Sequence, residues 1–382
     1  MSELRGIGRQ VEDPASLGRA IDELLASPTL LALGEPTHGV KEFPLLRNEL
    51  LSHLVVERGY RSIVLETDYF AASIVDDYVA GAAADIDTVL ATGFSHGFGA
   101  IPGNRELVEW LREHNAGSAP SDRVSFHGFD PPLEMSSAPS PRRALSSVID
   151  YLPASAVAID ALLGEDEEWT TEAAMFDPAA SIGDTDRARA LRIVADDLAS
   201  TLRRVAPRLL PADYDQAVAH MRTAQGLLRY HAAMAGAAPD RMATLFSLRT
   251  EMMAENLLAT VRQERGPILV FAHNAHLRPV GDGASWPSAG ALVRHALGER
   301  YTFVAMDGSP HSEPGTLQGM LAEATDRRAL FPVPALRTVL PPTIGMDEPI
   351  VRGHLPLNPA ELDGVDAVIF VTDTDGKQHQ YW

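Results

Sequence analysis

Leu30-Leu31-Ala32-Leu33 running into Gly34-Glu35-Pro36-Thr37-His38-Gly39 is the stretch that decides the fold. Four consecutive apolar residues, stopped by a turn that holds both glycine and proline, predict a short strand buried on both faces. The turn then carries an acid and a histidine. Working outward, the same grammar recurs at Ser62–Leu65, Val124–Phe129, Ile268–Phe271, Tyr301–Met306 and Ala367–Val371. Helical patterns separate these runs, so the fold class expected is α/β, a central mostly parallel sheet flanked by helices.

Between the first two runs, Phe43, Leu46, Leu50 and Leu54 recur at helical spacing, and Gly59 stands where a C-terminal cap belongs. Arg47 falls inside that apolar stripe, and a guanidinium facing a core needs a partner. The expected partner is Glu35 or Glu66. From about Pro141 to Arg265 no strand is expected; Leu191, Val194, Leu198, Leu202 and Val205 make one helical stripe. The acidic Gly164–Trp169 stretch and the turn signals at Ser181–Asp186 are expected to be loops. The division expected is therefore an α/β core over 1–135 and 266–382, with an inserted all-helical lobe over 136–265 that covers the site. The stretch Ser136–Arg143 marks its entry.

The chain has 382 residues, 32 Lys+Arg against 52 Asp+Glu and a net charge of −20, which argues against nucleic-acid or anionic-membrane partners. With no cysteine, disulfides, thiolate metal sites and cysteine nucleophiles are excluded. No secretory leader pattern and no apolar run of membrane-spanning length stand out, so a cytoplasmic address is the expectation.

Polar residues collect where predicted strands end. The first strand delivers Glu35 and His38, the second Glu66, the third His127 and Asp130, and the fourth His273, Asn274 and His276. In open α/β sheets the carboxyl ends of the strands face the ligand crevice, so one site built from these residues is expected. Plainer roles compete. His38 can cap the helix that follows, although Thr37 is the better cap; Asp130 before Pro131-Pro132 can simply shape a turn; His96 and His127 can be loop or strand histidines.

These residues also carry a resemblance. Gly34–Gly39 with Glu42 and Arg47, then Val64-Leu65-Glu66, Glu109–Asn115, Gly128-Phe129-Asp130, Arg249–Asn256, Ala272–His276 and Asp363–Ala367 together resemble the erythromycin esterase family. The resemblance implies a central sheet with a helical lobe, His38 as the essential base, and Glu35, Arg47, Glu66, Arg249 and His273 or His276 lining the cleft. It departs at Phe94–Asn104, which lacks a tryptophan, and at Thr250, where an aspartate is usual.

No G-x-S-x-G elbow is present, so attack by water is the economical scheme. His38 is suited to take the proton, with Glu35 or Glu66 on its other ring nitrogen. Arg47, His273 and the amides around Asn274 are candidates to hold the oxyanion, and His276 to protonate the departing alkoxide. Arg249 and Asn256 share a helical face and are assigned to substrate binding or to bracing the acids. The expectation is a cofactor-free and metal-free hydrolase of a small-molecule ester or macrolactone, macrolide-like or another natural product, with antibiotic resistance or biosynthesis as its setting. Three alternatives stay open: a zinc or iron hydrolase using Glu35, His38, Glu66, His273 and His276; a lyase or acyl-transfer enzyme, for which the altered 94–104 loop leaves room; and a non-catalytic binding protein.

Overall fold

A computed structural model describes residues 3–24, 29–134, 137–152, 159–279 and 286–381. The six predicted strands form, four of them longer than predicted, one shifted by a residue and one unchanged: β2 (Leu30–Glu35), β3 (Ser62–Asp68), β4 (Ser125–Asp130), β5 (Ile268–His273), β6 (Tyr301–Gly308) and β8 (Ala367–Val371). Two more, β1 (Arg9–Gln10) and β7 (Arg328–Pro332), escaped the sequence reading. They close one edge of an eight-stranded sheet of order β1-β7-β8-β6-β2-β5-β3-β4. β7 pairs antiparallel with both β1 and β8, while β8–β6, β6–β2, β2–β5 and β5–β3 are parallel. The fold is α/β with a mixed, mostly parallel sheet flanked by helices.

The order of the strands fixes the site. The chain lays β3 and β4 to one side of β2, returns to slot β5 between β2 and β3, and then builds β6, β8 and β7 on the other side. Strands β2 and β5 thus lie at the point where the winding reverses, the place where open sheets bind ligands. Their register puts Glu35 directly opposite His273, and Leu65, just before Glu66, opposite Phe271. Every residue of β2 and β5 is buried, which is why continuous apolar runs specify them.

The helix Glu42–Arg58 packs Phe43, Leu46, Leu50, Leu51 and Leu54 into the sheet's core and ends on Gly59 in the left-handed region, with φ 69°. Its N-cap is Lys41, which makes no side-chain capping bond, so Thr37 does not cap it. Thr37 is wholly buried, and its hydroxyl faces the carbonyls of His38 and Arg352 instead.

The chain divides into two compact units, 1–129 with 257–382 and 130–256. The lobe boundary expected at 135 and 136 lies outside the described residues. The second unit is helical: Asp186–Val205 and Pro211–Met234 are its long members, and no strand occurs among the described residues between Pro141 and Arg265. On Asp186–Val205, Leu191, Leu198 and Leu202 are buried with three alanines, whereas Val194 and Val205 sit partly exposed at the rim of the stripe. The expected loop at Gly164–Trp169 instead contains a short helix, Asp166–Trp169, because Trp169 is buried and its indole N–H donates to the Leu163 carbonyl. Among the described residues no helix is long and apolar enough to cross a membrane.

Candidate active site

Glu35, the last residue of β2, and His38, three residues on, face each other across the turn, with His38 Nδ1 2.8 Å from Glu35 Oε1. A proton on Nδ1 serves that bond, which leaves Nε2 as the free lone pair of the neutral ring. Nε2 points toward Glu66 on β3, 3.7 Å from its Oε1. The same Glu66 oxygen lies 3.1 Å from His276 Nε2, and its other oxygen accepts the backbone N–H of His273 at 2.9 Å. One carboxylate thus lies between His38 and His276 and pins the start of the turn that carries His276.

His273 is held differently. Its Nδ1 accepts the N–H of Ala275, capping the short helix Asn274–Leu277, and its Nε2 stands 3.3 Å from the Gly353 carbonyl. Only the neutral Nε2–H tautomer satisfies both neighbours. Burial, followed by the field of His38, draws its pKa down to about 3. His273 is therefore a fixed neutral group at pH 7. For His38, burial pulls the other way from its neighbours: Glu66 and then Glu35 outweigh it, and the net pKa rises above 6.5. Glu35 is itself raised, chiefly by burial.

Arg47 is fully buried, as its place in the stripe predicts, but the carboxylate contact expected for it is not made. Its Nε and Nη2 donate to Asn48 Oδ1, Nη1 donates to Asn104 Oδ1 at 2.9 Å, and Nη2 donates also to the Gly103 carbonyl. Its guanidinium lies over the Phe271 ring at 4.8 Å. Neutral amides and an aromatic face thus hold this cation; burial lowers its pKa to about 9, and the field of Glu35 opposes that. Four of its five N–H groups are engaged, and the second on Nη1 has no partner among the described residues.

Glu35, His38, Arg47 and Glu66 share a cavity walled by Phe98 and Phe271, with 20 Å³ of room, enough for about one water. Glu35 Oε2 is buried without a hydrogen-bond partner among the described residues. His38 stacks obliquely on Phe98 at 4.6 Å, and its ring lies 5.3 Å from that of His273. Asn274 donates to the Met306 carbonyl, which ties the turn to β6. Among the described residues no three His, Asp or Glu side chains are grouped to hold a metal ion.

Other candidates have partners of their own. His127 pairs with Glu264 at 3.0 Å rather than with the cavity residues. In the second unit Arg249 forks onto the buried Asp130, Nε to Oδ1 at 3.0 Å and Nη2 to Oδ2 at 2.6 Å, and Asn256 Oδ1 accepts from Arg222. Sequence reading missed a buried network behind His273. Asp307, at the end of β6, receives His354 Nε2 at 3.1 Å, Gln318 Nε2 and the Leu357 amide. It anchors the loop that presents the Gly353 carbonyl. Asp307 directly follows the run Tyr301–Met306, so the strand-end pattern was the available signal; His354 had none.

Comparison with known proteins agrees with this architecture. A Bacillus cereus protein of solved structure superposes with TM-score 0.73 at 16% identity, over 96% of this chain and 95% of that one. A succinoglycan biosynthesis protein gives 0.74 at 14%, over 97% and 95%. An erythromycin esterase variant in an open conformation gives 0.70 at 16%, over 96% and 95%. In sequence, the chain is 26% identical to the erythromycin esterase type II of Escherichia coli over 114 residues, 30% of this chain. That match spans about a quarter of the relative's length, 26%. The family model for erythromycin esterase matches residues 55–373, so the chain belongs to the erythromycin esterase family.

Proposed function

We propose that this protein hydrolyses a carboxylic ester or lactone with a water molecule activated by His38. The observation that supports this most is the arrangement of His38 itself: Nδ1 held by Glu35 at 2.8 Å, Nε2 toward Glu66 Oε1 at 3.7 Å, and the residue in the wall of a cavity the size of one water. None of the residues lining that cavity is a serine, threonine or cysteine, which favours water over an acyl-enzyme route.

In this scheme the water oxygen attacks the ester carbonyl carbon while His38 Nε2 takes one of its protons. The imidazolium so formed keeps Nδ1–H on Glu35, whose carboxylate, with that of Glu66, stabilises the new charge. Arg47 lines the same cavity, and its unengaged Nη1–H is the donor we assign to the oxyanion. Collapse of the tetrahedral intermediate breaks the bond to the alkoxide, which takes a proton from His276, and Glu66 links the two histidines for its replacement. His273 holds geometry rather than protons. The named relatives include erythromycin esterases, and a macrolactone or a similar natural-product ester is the substrate class we assign.

Incubation with a panel of macrolactones and simple esters in ¹⁸O-water tests this. One labelled oxygen in the acid product, with no acylated protein by mass spectrometry, is the expected result, and an acylated side chain would refute water attack. Turnover that survives exhaustive chelation is expected, and turnover lost on chelation and restored by zinc would favour the metal alternative.

A further inference from the structure

The segment Thr374–Tyr381 belongs to no helix or strand, yet it runs over the turn that holds His38. Its attachments are specific. Gln378 Nε2 donates to the carbonyls of His38 at 2.8 Å and Arg352 at 3.0 Å, and the His379 N–H donates to the Gly39 carbonyl at 2.8 Å. Upstream, the Thr374 hydroxyl donates to the buried Glu42 at 3.3 Å. Two glycines make room for it. A Cβ at Gly97 would stand 1.9 Å from the Tyr381 carbonyl oxygen, and one at Gly39, where φ is 82°, 2.7 Å from that of His379.

The path ends with the Tyr381 ring perpendicular to the His38 imidazole at 6.3 Å and 5.3 Å from Phe98. Tyr381 is not in the cavity wall, but it packs against two residues that are. His38 keeps 19% of its side chain exposed, and the ring beside it is itself half-buried. Glu35 and Glu66 both act on the phenol, which burial already raises. We propose that Tyr381 determines specificity: with Phe98 it forms an aromatic screen over the imidazole that limits the bulk of the acyl group reaching His38. This rests on the ester-hydrolase reading for its substrate class, while the screening of His38 does not.

Both parts are testable on the full chain. Carbethoxylation of His38 by diethyl pyrocarbonate, located by peptide mass spectrometry, is expected to run about tenfold faster in Tyr381→Ala and at the wild-type rate in Tyr381→Phe, since truncation removes the aromatic area that covers the ring. With p-nitrophenyl esters, the kcat/KM ratio of cyclohexanecarboxylate over acetate is expected to rise about tenfold in Tyr381→Ala, the usual scale for steric selection in a pocket, and to hold in Tyr381→Phe. Tyr381→Leu supplies an intermediate size should the alanine variant fail to fold. An unchanged labelling rate in Ala and Leu variants overturns the screen. A Phe variant that behaves like Ala also overturns it, because the hydroxyl would then be responsible. If neither wild type nor any variant cleaves an ester above the His38→Gln background, the hydrolase reading fails, and the labelling rates still decide the screen.

Discussion

His38 carries the strongest prediction. Replacement by glutamine is expected to lower kcat by roughly 10²–10⁴, the contribution of a positioned general base, and to shift Tm little, because the ring rests on a turn rather than in the sheet. Its pH dependence has a fixed sign. As the proposed base it works when neutral, and its pKa is raised above 6.5, so kcat/KM should climb with pH through a limb displaced to the alkaline side of 6.5. A limb well below 6.5 would contradict the hold of Glu66 and Glu35 on the ring. His273 supplies the opposite case. The unfolded chain protonates it near 6.5, while the folded protein resists until about 3. Stability from this residue is thus complete above 6.5 and drains away as pH falls toward 3. His273→Asn keeps an acceptor for the Ala275 N–H and cannot titrate. Urea unfolding at about pH 7 and about pH 4.5 should show a smaller acid loss in the variant than in wild type; equal losses would dissociate His273 from acid instability.

Among elements, the loop bearing Gly353 depends on one buried pair. His354→Asn removes a donor from Asp307, which is wholly buried, and is expected to cost about 1–3 kcal/mol with faster amide exchange across 345–357 but not in β2. Uniform loss of protection would mean that the pair supports the whole sheet. The elements also show what a sequence discloses. Strands buried on both faces announce themselves as unbroken apolar runs, which made β2, β3, β5, β6 and β8 readable. β7 hid because its five residues begin with Arg328, a buried cation paired with Glu49 and Asp373, and end in a proline. The burial of Arg47 followed from helical periodicity. Its partners beyond the adjacent Asn48 did not, since Asn104 and Gly103 come from a distant segment and are brought near by tertiary structure alone. Tyr381 and His354 were invisible for the same reason: neither lies in a periodic pattern, and proximity in space gives each its place.

At the scale of the molecule, each unit owns its core. The apolar cluster of the sheet draws only on the first unit, and the clusters around Leu191 and around Met252 only on the second. Leu191→Ala is expected to cost about 2–5 kcal/mol locally, read as faster exchange in Asp186–Val205 and Pro211–Met234, with β2 and β5 keeping their protection. Simultaneous loosening of the sheet would show one cooperative body. The place of β5 has a further consequence, for synthesis. Strands β2 and β3 leave the ribosome early, but the strand that separates and pairs them is translated only after the helical unit is complete. At roughly 5–20 residues per second, the nascent chain spends on the order of ten seconds or more with both edges of β2 and one edge of β3 unsatisfied. For that interval the emerging polypeptide is adhesive in the way that attracts chaperones, and Glu35, Glu66 and His273 come together only once Ile268–His273 slides home.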